Sequence, residues 1–121
     1  MLGGMGSRVM TEPAFLVLTA LVDEPRHGYG IVRVVEDLSA GRVRLKVGTL
    51  YGVLDRLVAE GLVEPDHEEA YQGRLRRYYR LTDSGVDALE AEAARLAGNV
   101  ESARARLRAR RRRPSTAEGT A

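Results

Sequence analysis

The side chains that could carry out catalysis or bind a metal are few and scattered in this sequence. The chain has no cysteine, and its two histidines, His27 and His67, lie far apart along it. Neither histidine has a second ligand at short helical spacing, and no nucleophile stands beside a base. We therefore expect no catalytic site, no metal and no cofactor. We interpret His27, which precedes Gly28, as a packing or capping residue.

Basic side chains, in contrast, have a spacing that indicates phosphate binding. Arg74, Arg76 and Arg77 follow a glycine within a segment of the type that forms a hairpin, and Lys46 precedes a predicted helix. Arginine and lysine at a loop tip or a helix start can reach the nucleic-acid backbone or a minor groove. These four residues are candidates for DNA contact.

A second arginine cluster lies near the end of the chain, between Arg104 and Arg113. It accounts for the net charge of +2, since the remaining residues are acidic overall. Net charge alone therefore gives no argument for DNA binding. The cluster is either a solvated, self-repelling segment or a source of DNA affinity that does not depend on base sequence.

The segment VGTLYGVLDRLVAEGLV, residues 47–63, predicts a helix followed by a turn and a strand. Its apolar stripe at helical spacing consists of Leu50, Val53, Leu54, Leu57 and Val58. The opposite face carries Gly48, Thr49, Gly52, Asp55, Arg56 and Ala59, with Tyr51 at its edge. A glycine inside a helix costs about 1 kcal/mol relative to alanine, so small residues on an exposed face indicate the close approach of something large. A nucleic-acid groove fits this description.

Two further helices precede this segment. Thr11 is the expected N-cap of the first helix, an apolar one that ends at the turn 23–25. The second, HGYGIVRVVEDLSAG, stops at Gly41 and is expected to bury Ile31, Val34, Val35 and Leu38. Tyr29 at its start either hydrogen-bonds the backbone or contacts phosphate.

Strands are predicted on both sides of the third helix. The alternation in RVRLKV, residues 42–47, predicts a short strand with a basic outer face. Gly48 or Thr49 is then the N-cap of the third helix. After Gly61 we expect two strands joined by a long polar loop that contains Gly73, with Tyr79 and Leu81 facing inward.

The order helix, helix, strand, helix, hairpin is that of a winged helix-turn-helix, in which the third helix enters the major groove. The fold class is therefore mainly α with a small β wing and a long C-terminal dimerisation helix. We divide the chain into a flexible N-terminus (1–10), a winged-helix DNA-binding domain (11–81), a dimerisation helix (82–111) and a disordered tail (112–121).

The last helix has a heptad pattern, which indicates a partner helix. Its apolar positions include Leu89, Ala93, Leu96, Val100 and Leu107. The pattern passes through Gly98 and Asn99 without a change of phase, so we favour one continuous helix over two. We expect a homodimer whose interface also includes Phe15 and Leu18 of the first helix.

Three separated segments, EPRHGYGI, VGTLYGVLDRLVAEGLV and GRLRRYYRLTDSG, resemble the PadR family of bacterial transcriptional regulators. The single C-terminal helix is similar to the short-chain branch. The resemblance implies a dimeric repressor that binds inverted repeats and is released by a small molecule. The candidate DNA-binding residues are Tyr29, Lys46, Gly48, Thr49, Tyr51, Gly52, Arg56, Arg74, Arg76 and Arg77. For Tyr51, a phosphate contact is weighed against a role in covering the core.

The expected partners are double-stranded DNA, a second copy of the chain and a small-molecule effector of unidentified chemistry. We expect no membrane association and a cytoplasmic location, since no apolar run reaches the length of a membrane helix and the N-terminus lacks the core of a signal peptide. The alternative is a winged-helix module that binds a protein and not DNA.

Overall fold

The structure is a computed structural model that describes residues 10–114. The predicted flexible N-terminus and disordered tail lie outside the described residues, except for Met10 and residues 112–114. The helices are α1 (Glu12–Ala20), α2 (Gly28–Leu38), α3 (Val47–Ala59) and α4 (Asp83–Arg112), and the strands are β1 (Arg26–His27), β2 (Val63–Tyr71) and β3 (Arg74–Leu81). The chain separates into two compact units, residues 1–90 and 91–121.

Side-chain caps set the starts of α1 and α2. The Thr11 hydroxyl accepts a hydrogen bond from the Ala14 N–H at 3.2 Å, as predicted. His27 Nδ1 accepts one from the Gly30 N–H at 3.3 Å, which confirms that this histidine caps a helix. Each cap satisfies one of the N–H groups that a helix leaves unpaired in its first turn.

The hydrophobic core of the first unit lies between the helices and the sheet. Its buried members are Ala14, Val17, Leu18, Ala20, Leu21, Ile31, Val35, Leu50, Leu54, Leu57, Val63 and Tyr79. The predicted burial of Leu38 and Val58 is wrong, since both are exposed. Leu38 is the last residue of α2, and Val58 lies near the end of α3 at the margin of the stripe that faces the core.

Residues 42–46 do not form the predicted strand. The alternation is real, because Val43 and Leu45 are half-buried against the core while Lys46 is exposed. However, β3 is the central strand of the three-stranded sheet and is already flanked by β1 and β2. With no strand edge to join, this segment is held by side chains, such as the Ser39 hydroxyl that accepts from the Val43 N–H at 2.9 Å.

The hairpin of β2 and β3, here called the wing, has a two-residue turn in place of the predicted long loop. Gln72 and Gly73 have φ angles of 51° and 77°, the left-handed pair that a tight hairpin turn requires. The acidic residues assigned to a loop are instead part of β2, where they lie opposite the arginines of β3. The facing pairs are Glu64 and Arg80, Glu68 and Arg77, and Glu69 and Arg76.

Helix α4 begins where Thr82 links two segments. Its hydroxyl accepts from the Gly85 N–H at 3.0 Å and donates to the Gly61 carbonyl at 2.7 Å. The helix is continuous from Asp83 to Arg112, which confirms the prediction that it passes through Gly98 and Asn99.

The residues predicted to form a dimer interface differ in exposure. Leu18 is completely buried in the chain's own core, so it offers no side-chain surface to a second copy and this prediction is wrong. Phe15 is half-buried, and Leu89 is half-buried against the core cluster. Further along α4, Leu96 is half-buried and Ala93, Val100 and Leu107 are exposed.

Candidate nucleic-acid interface

The exposed face of α3 is as open as the sequence predicts. A methyl group added at Gly48 or Gly52 would have no heavy atom within 4 Å, apart from the helix backbone and chain neighbours. The other exposed residues on this surface are Thr49, Asp55, Arg56 and Ala59. We call these six residues the bare face of α3, and nothing within the first unit requires them to be small.

The start of α3 lacks a side-chain cap. Lys46 occupies the N-cap position with extended backbone angles, which corrects the prediction of Gly48 or Thr49. A lysine side chain has no hydrogen-bond acceptor, so it leaves the first-turn N–H groups without a side-chain partner. An open helix start with a lysine beside it is a favourable position for an anion such as phosphate.

Tyr51 packs on the start of α2. A methyl group on Gly28 would lie 2.6 Å from the Tyr51 hydroxyl oxygen, so the glycine leaves room for that hydroxyl. The residue nevertheless remains 40% exposed. Tyr51 therefore covers the beginning of α2 and still presents part of its surface to an external ligand.

Tyr29, the second residue of α2, is largely exposed and has a basic neighbour that was not among the predicted site residues. The guanidinium carbon of Arg33 lies 6.0 Å from the centroid of the Tyr29 ring. The four-residue spacing of the two side chains along a helix was the available signal. Together they place a cation over an aromatic ring on the exposed side of α2.

The three predicted wing arginines have different environments. Arg74, beside the turn, is exposed and makes no ion pair with any described residue. Arg77 lies 3.7 Å from the Glu68 carboxylate. Arg76 is held by His27, with Nη1 3.2 Å from the imidazole Nε2, and its guanidinium stacks 3.6 Å above the Tyr71 ring. Arg74 is thus the wing arginine most available to a ligand.

Two other basic residues of the first unit share this availability. Among residues 10–114, neither Lys46 nor Arg56 forms an ion pair. By comparison, Arg42 pairs with Glu12, Arg44 with Glu36 at 3.4 Å, and Arg80 with Glu64. The unpaired cations are therefore at the start of α3, on its bare face and at the wing turn.

Tyr78 stands between the two histidines. It stacks on His67 at a centroid distance of 4.4 Å and meets His27 edge-on at 5.2 Å. Hydrogen bonds from His67 to the Asp66 and Glu69 carboxylates raise its pKa. Burial, followed by the charge of nearby Arg76, lowers the pKa of His27. The cross-strand register that joins His67 to Tyr78 could not be read from the sequence.

These contacts join several predicted site residues around the start of α2. His27 contacts Arg76 of the wing, Gly28 lies against Tyr51 of α3, and Tyr29 follows them. No contact joins Lys46, Arg56 or Arg74 to this group within the part of the chain that the structure describes. The described residues also contain no group of histidine and carboxylate side chains suited to a metal ion.

A three-helix core with a β-hairpin wing and a long final helix defines a winged helix-turn-helix, as the sequence predicted. Residues 17–91 match the profile of the Transcriptional regulator PadR-like family. Because this match covers more than half of the chain, the protein belongs to that family. It is a family of transcriptional regulators, which agrees with the expectation that the protein is not an enzyme.

Individual relatives extend this assignment. An uncharacterized 37.1 kDa protein in transposon TN4556 of Streptomyces fradiae is 48% identical over 92 residues, which cover 74% of this chain and 25% of that protein. The chain spans between 25% and 64% of the length of the curated relatives that it matches.

Solved structures share the fold. A PadR family transcription regulator from Clostridium difficile R20291 has a TM-score of 0.68 and 24% identity, over 80% of this chain and 99% of that one. Bacillus subtilis PadR, solved in complex with operator DNA, has a TM-score of 0.60 and 23% identity, over 69% of this chain and 47% of that one. No helix among residues 10–114 has the length and apolar character needed to cross a membrane.

Proposed function

We propose that the chain is a ligand-responsive repressor that binds an inverted-repeat operator in duplex DNA as a homodimer. The observation that carries the proposal is the bare face of α3, where two glycines have open space in front of them. Helix stability alone would favour alanine at both positions. Their small size is useful if an external surface approaches the helix backbone closely, as the floor of a major groove does.

The positions of the unpaired cations support DNA as that surface. Lys46 at the open start of α3, Arg56 on the bare face and Arg74 at the wing turn have no carboxylate partner among the described residues. In our proposal, Lys46 and Arg74 bind phosphates, and Arg56 binds a phosphate or a guanine edge. Tyr51, Thr49 and Tyr29 supply hydroxyl groups beside them. Arg76 and Arg77 act mainly within the wing.

A protein-binding module that does not bind DNA is a less favourable reading of the same surface. A protein partner would be expected to cover apolar side chains, whereas the bare face consists of glycine, alanine and polar residues. The fold shared with a PadR protein that was solved with operator DNA also supports the DNA-binding proposal. A cytoplasmic location follows from this function.

The homodimer is proposed from the open apolar positions of α4. Val100 is 51% exposed and Leu107 is 48% exposed, which is unusual for large apolar side chains at heptad spacing. We assign residues 11–81 to DNA binding and residues 82–111 to dimerisation. Two-fold symmetry would then place two copies of α3 in successive major grooves, about 34 Å apart, on an inverted repeat. The effector remains part of the proposal through the family resemblance alone.

The experiment that tests DNA binding compares two triple variants by fluorescence anisotropy, with duplex DNA from upstream of the protein's own gene. One variant combines Lys46→Ala, Arg56→Ala and Arg74→Ala, the unpaired cations. The matched control combines Arg42→Ala, Arg44→Ala and Arg80→Ala, which have carboxylate partners. Both variants change the net charge by the same amount.

We expect the first variant to lose affinity and to reduce the slope of log affinity against log salt by about 0.9 for each phosphate contact removed. The control should lose much less. Equal losses in the two variants would mean that only net charge matters and would contradict the proposed interface. A folded wild-type protein that binds no duplex from this region would favour the protein-binding module.

A further inference from the structure

The second half of α4 has an unpaired apolar stripe. Within the second unit this stripe consists of Ala93, Leu96, Val100, Ala103 and Leu107. Their steps of three and four residues place them on one side of the helix. Four of these five residues are exposed, and Leu96 is half-buried. The stripe is therefore available to another helix.

Charge is distributed unevenly along the same helix. The first part of α4 is acidic, with Asp83, Asp87, Glu90 and Glu92. The last part is basic, with Arg104, Arg106, Arg108, Arg110, Arg111 and Arg112. Parallel pairing of two such helices would place like charges side by side, whereas antiparallel pairing would place each arginine-rich end against an acidic end.

We propose that two copies of α4 pair in antiparallel orientation, with their crossing point at the level of Gly98. This inference rests on the proposed homodimer and adds its orientation and register. In this register every apolar residue of the stripe meets an apolar residue of the other copy. The facing pairs are Leu89 and Leu107, Ala93 and Ala103, and Leu96 and Val100.

The residues beside the stripe are complementary in the same register. Glu90 falls opposite Arg104 of the second copy, and Glu92 falls opposite Arg106. Symmetry repeats both pairs, so four attractive contacts border the apolar contacts. In a parallel arrangement Arg106 would instead approach Arg111, and no opposite charges would meet beside the stripe.

The antiparallel arrangement assigns a partner to the arginine cluster. Glu92 already pairs with Arg95 of its own helix, and Arg108 with Glu101 at 3.1 Å, but Arg104 and Arg106 pair with no residue in the described part of the chain. In the proposed dimer these two arginines bind the acidic part of the second copy, so the cluster acts in subunit recognition.

Cysteine crosslinking tests the orientation directly, because the chain has no cysteine of its own. Ala93→Cys and Ala103→Cys proteins are oxidised alone and as a mixture after subunit exchange. We expect a disulfide dimer only in the mixture. In the antiparallel register, equivalent residues of a single variant are separated by about ten residues, roughly 15 Å along the helix, which is beyond the reach of a disulfide.

The matched controls are Ala91→Cys and Ala105→Cys, which lie at neighbouring levels but on the outer side of the helix. These should not crosslink, alone or mixed. Efficient crosslinking of Ala93→Cys with itself would show parallel pairing and overturn this inference while leaving the homodimer intact. A monomer in sedimentation would instead overturn the homodimer itself.

Charge reversal tests the role of the arginines. The variant Glu90→Arg/Glu92→Arg should raise the dimer dissociation constant by about tenfold or more, and Arg104→Glu/Arg106→Glu should do the same. Combining all four changes restores opposite charges across the pair and should recover dimerisation. If the fourfold variant is no better than either double variant, the proposed register is wrong.

Discussion

Two groups of glycines in this protein have opposite surroundings. Gly28 and Gly85 are buried, and a methyl group at either would collide with another part of the chain. Gly48 and Gly52 lie on α3 with open space in front of them. The first pair is explained by packing within the molecule. The second pair is not, so its explanation must be sought in something that binds from outside.

The contrast is clearest at Gly85, where α4 begins. An added methyl carbon would lie 2.1 Å from the Leu62 carbonyl oxygen and 2.8 Å from the Leu81 side chain. The backbone cannot move away easily, since the Leu62 carbonyl accepts from the Thr82 N–H at 3.1 Å. Gly85 thus allows the first turn of α4 to lie directly against the segment that follows α3.

Among replacements of these glycines by alanine, Gly85→Ala should have the largest effect on stability. We expect it to lower the free energy of unfolding by about 3 kcal/mol, because the backbone must shift to relieve the overlap. Urea denaturation measures the change. A variant with an unchanged unfolding midpoint would show that the first turn of α4 is not packed as described.

Replacing the open glycines should produce changes of opposite sign in stability and in binding. Gly48→Ala/Gly52→Ala should raise the free energy of unfolding by about 1 to 2 kcal/mol through helix propensity. The same variant should bind operator DNA about tenfold or more weakly, since each methyl group holds α3 away from the groove.

Gly98→Ala is the control for this prediction. Gly98 also lies within a helix and has no heavy atom within 4 Å of the added methyl position. The substitution should stabilise α4 without weakening DNA binding. Unaltered operator affinity in the folded Gly48→Ala/Gly52→Ala variant would remove the main support for α3 as the DNA-contacting helix.

The two histidines provide a smaller comparison, based on pH. The folded-state pKa of His67 is raised, so its contribution to stability is complete below its unfolded pKa and is lost as pH rises through the folded value. The folded-state pKa of His27 is lowered, so the folded protein loses stability as pH falls from the unfolded value through the folded one.

Substitution should reveal these opposite signs between about pH 5 and 8, the range in which histidine titrates. Relative to wild type, His67→Gln should be most destabilising at the acidic end. His27→Asn, which retains an acceptor for the helix cap, should compare most favourably with wild type at that same end. Denaturation across this pH range measures both, and a common pH trend in the two variants would contradict the assigned environments.

Much of the fold could be predicted because it depends on local chemistry. The hydroxyl of Thr11 and the imidazole of His27 each cap the turn that follows them, and three-residue spacing is enough to recognise such a cap. The periodicity of Leu50, Leu54 and Leu57 likewise identified the buried side of α3, and by exclusion its bare face. The class of fold followed from the order of these elements.

Other predictions failed because they depend on residues that are distant in the sequence. The alternation of residues 42–46 is typical of a strand, but β1 occupies the sheet edge beside β3 that such a strand would require. Leu18 has the composition of an interface residue, yet the chain's own core surrounds it. Nothing local distinguishes Arg74, which is unpaired among the described residues, from Arg77, which faces Glu68.

The sequence by itself determined the helices, their caps, the family and the small residues of α3, because each depends on side chains a few positions apart. Only the tertiary structure decided which cations remain available to a ligand, which glycines are crowded and which strand completes the sheet. Those properties arise from the register between strands and from packing between distant segments. Such contacts depend on the whole folded chain, so no short window of sequence contains them.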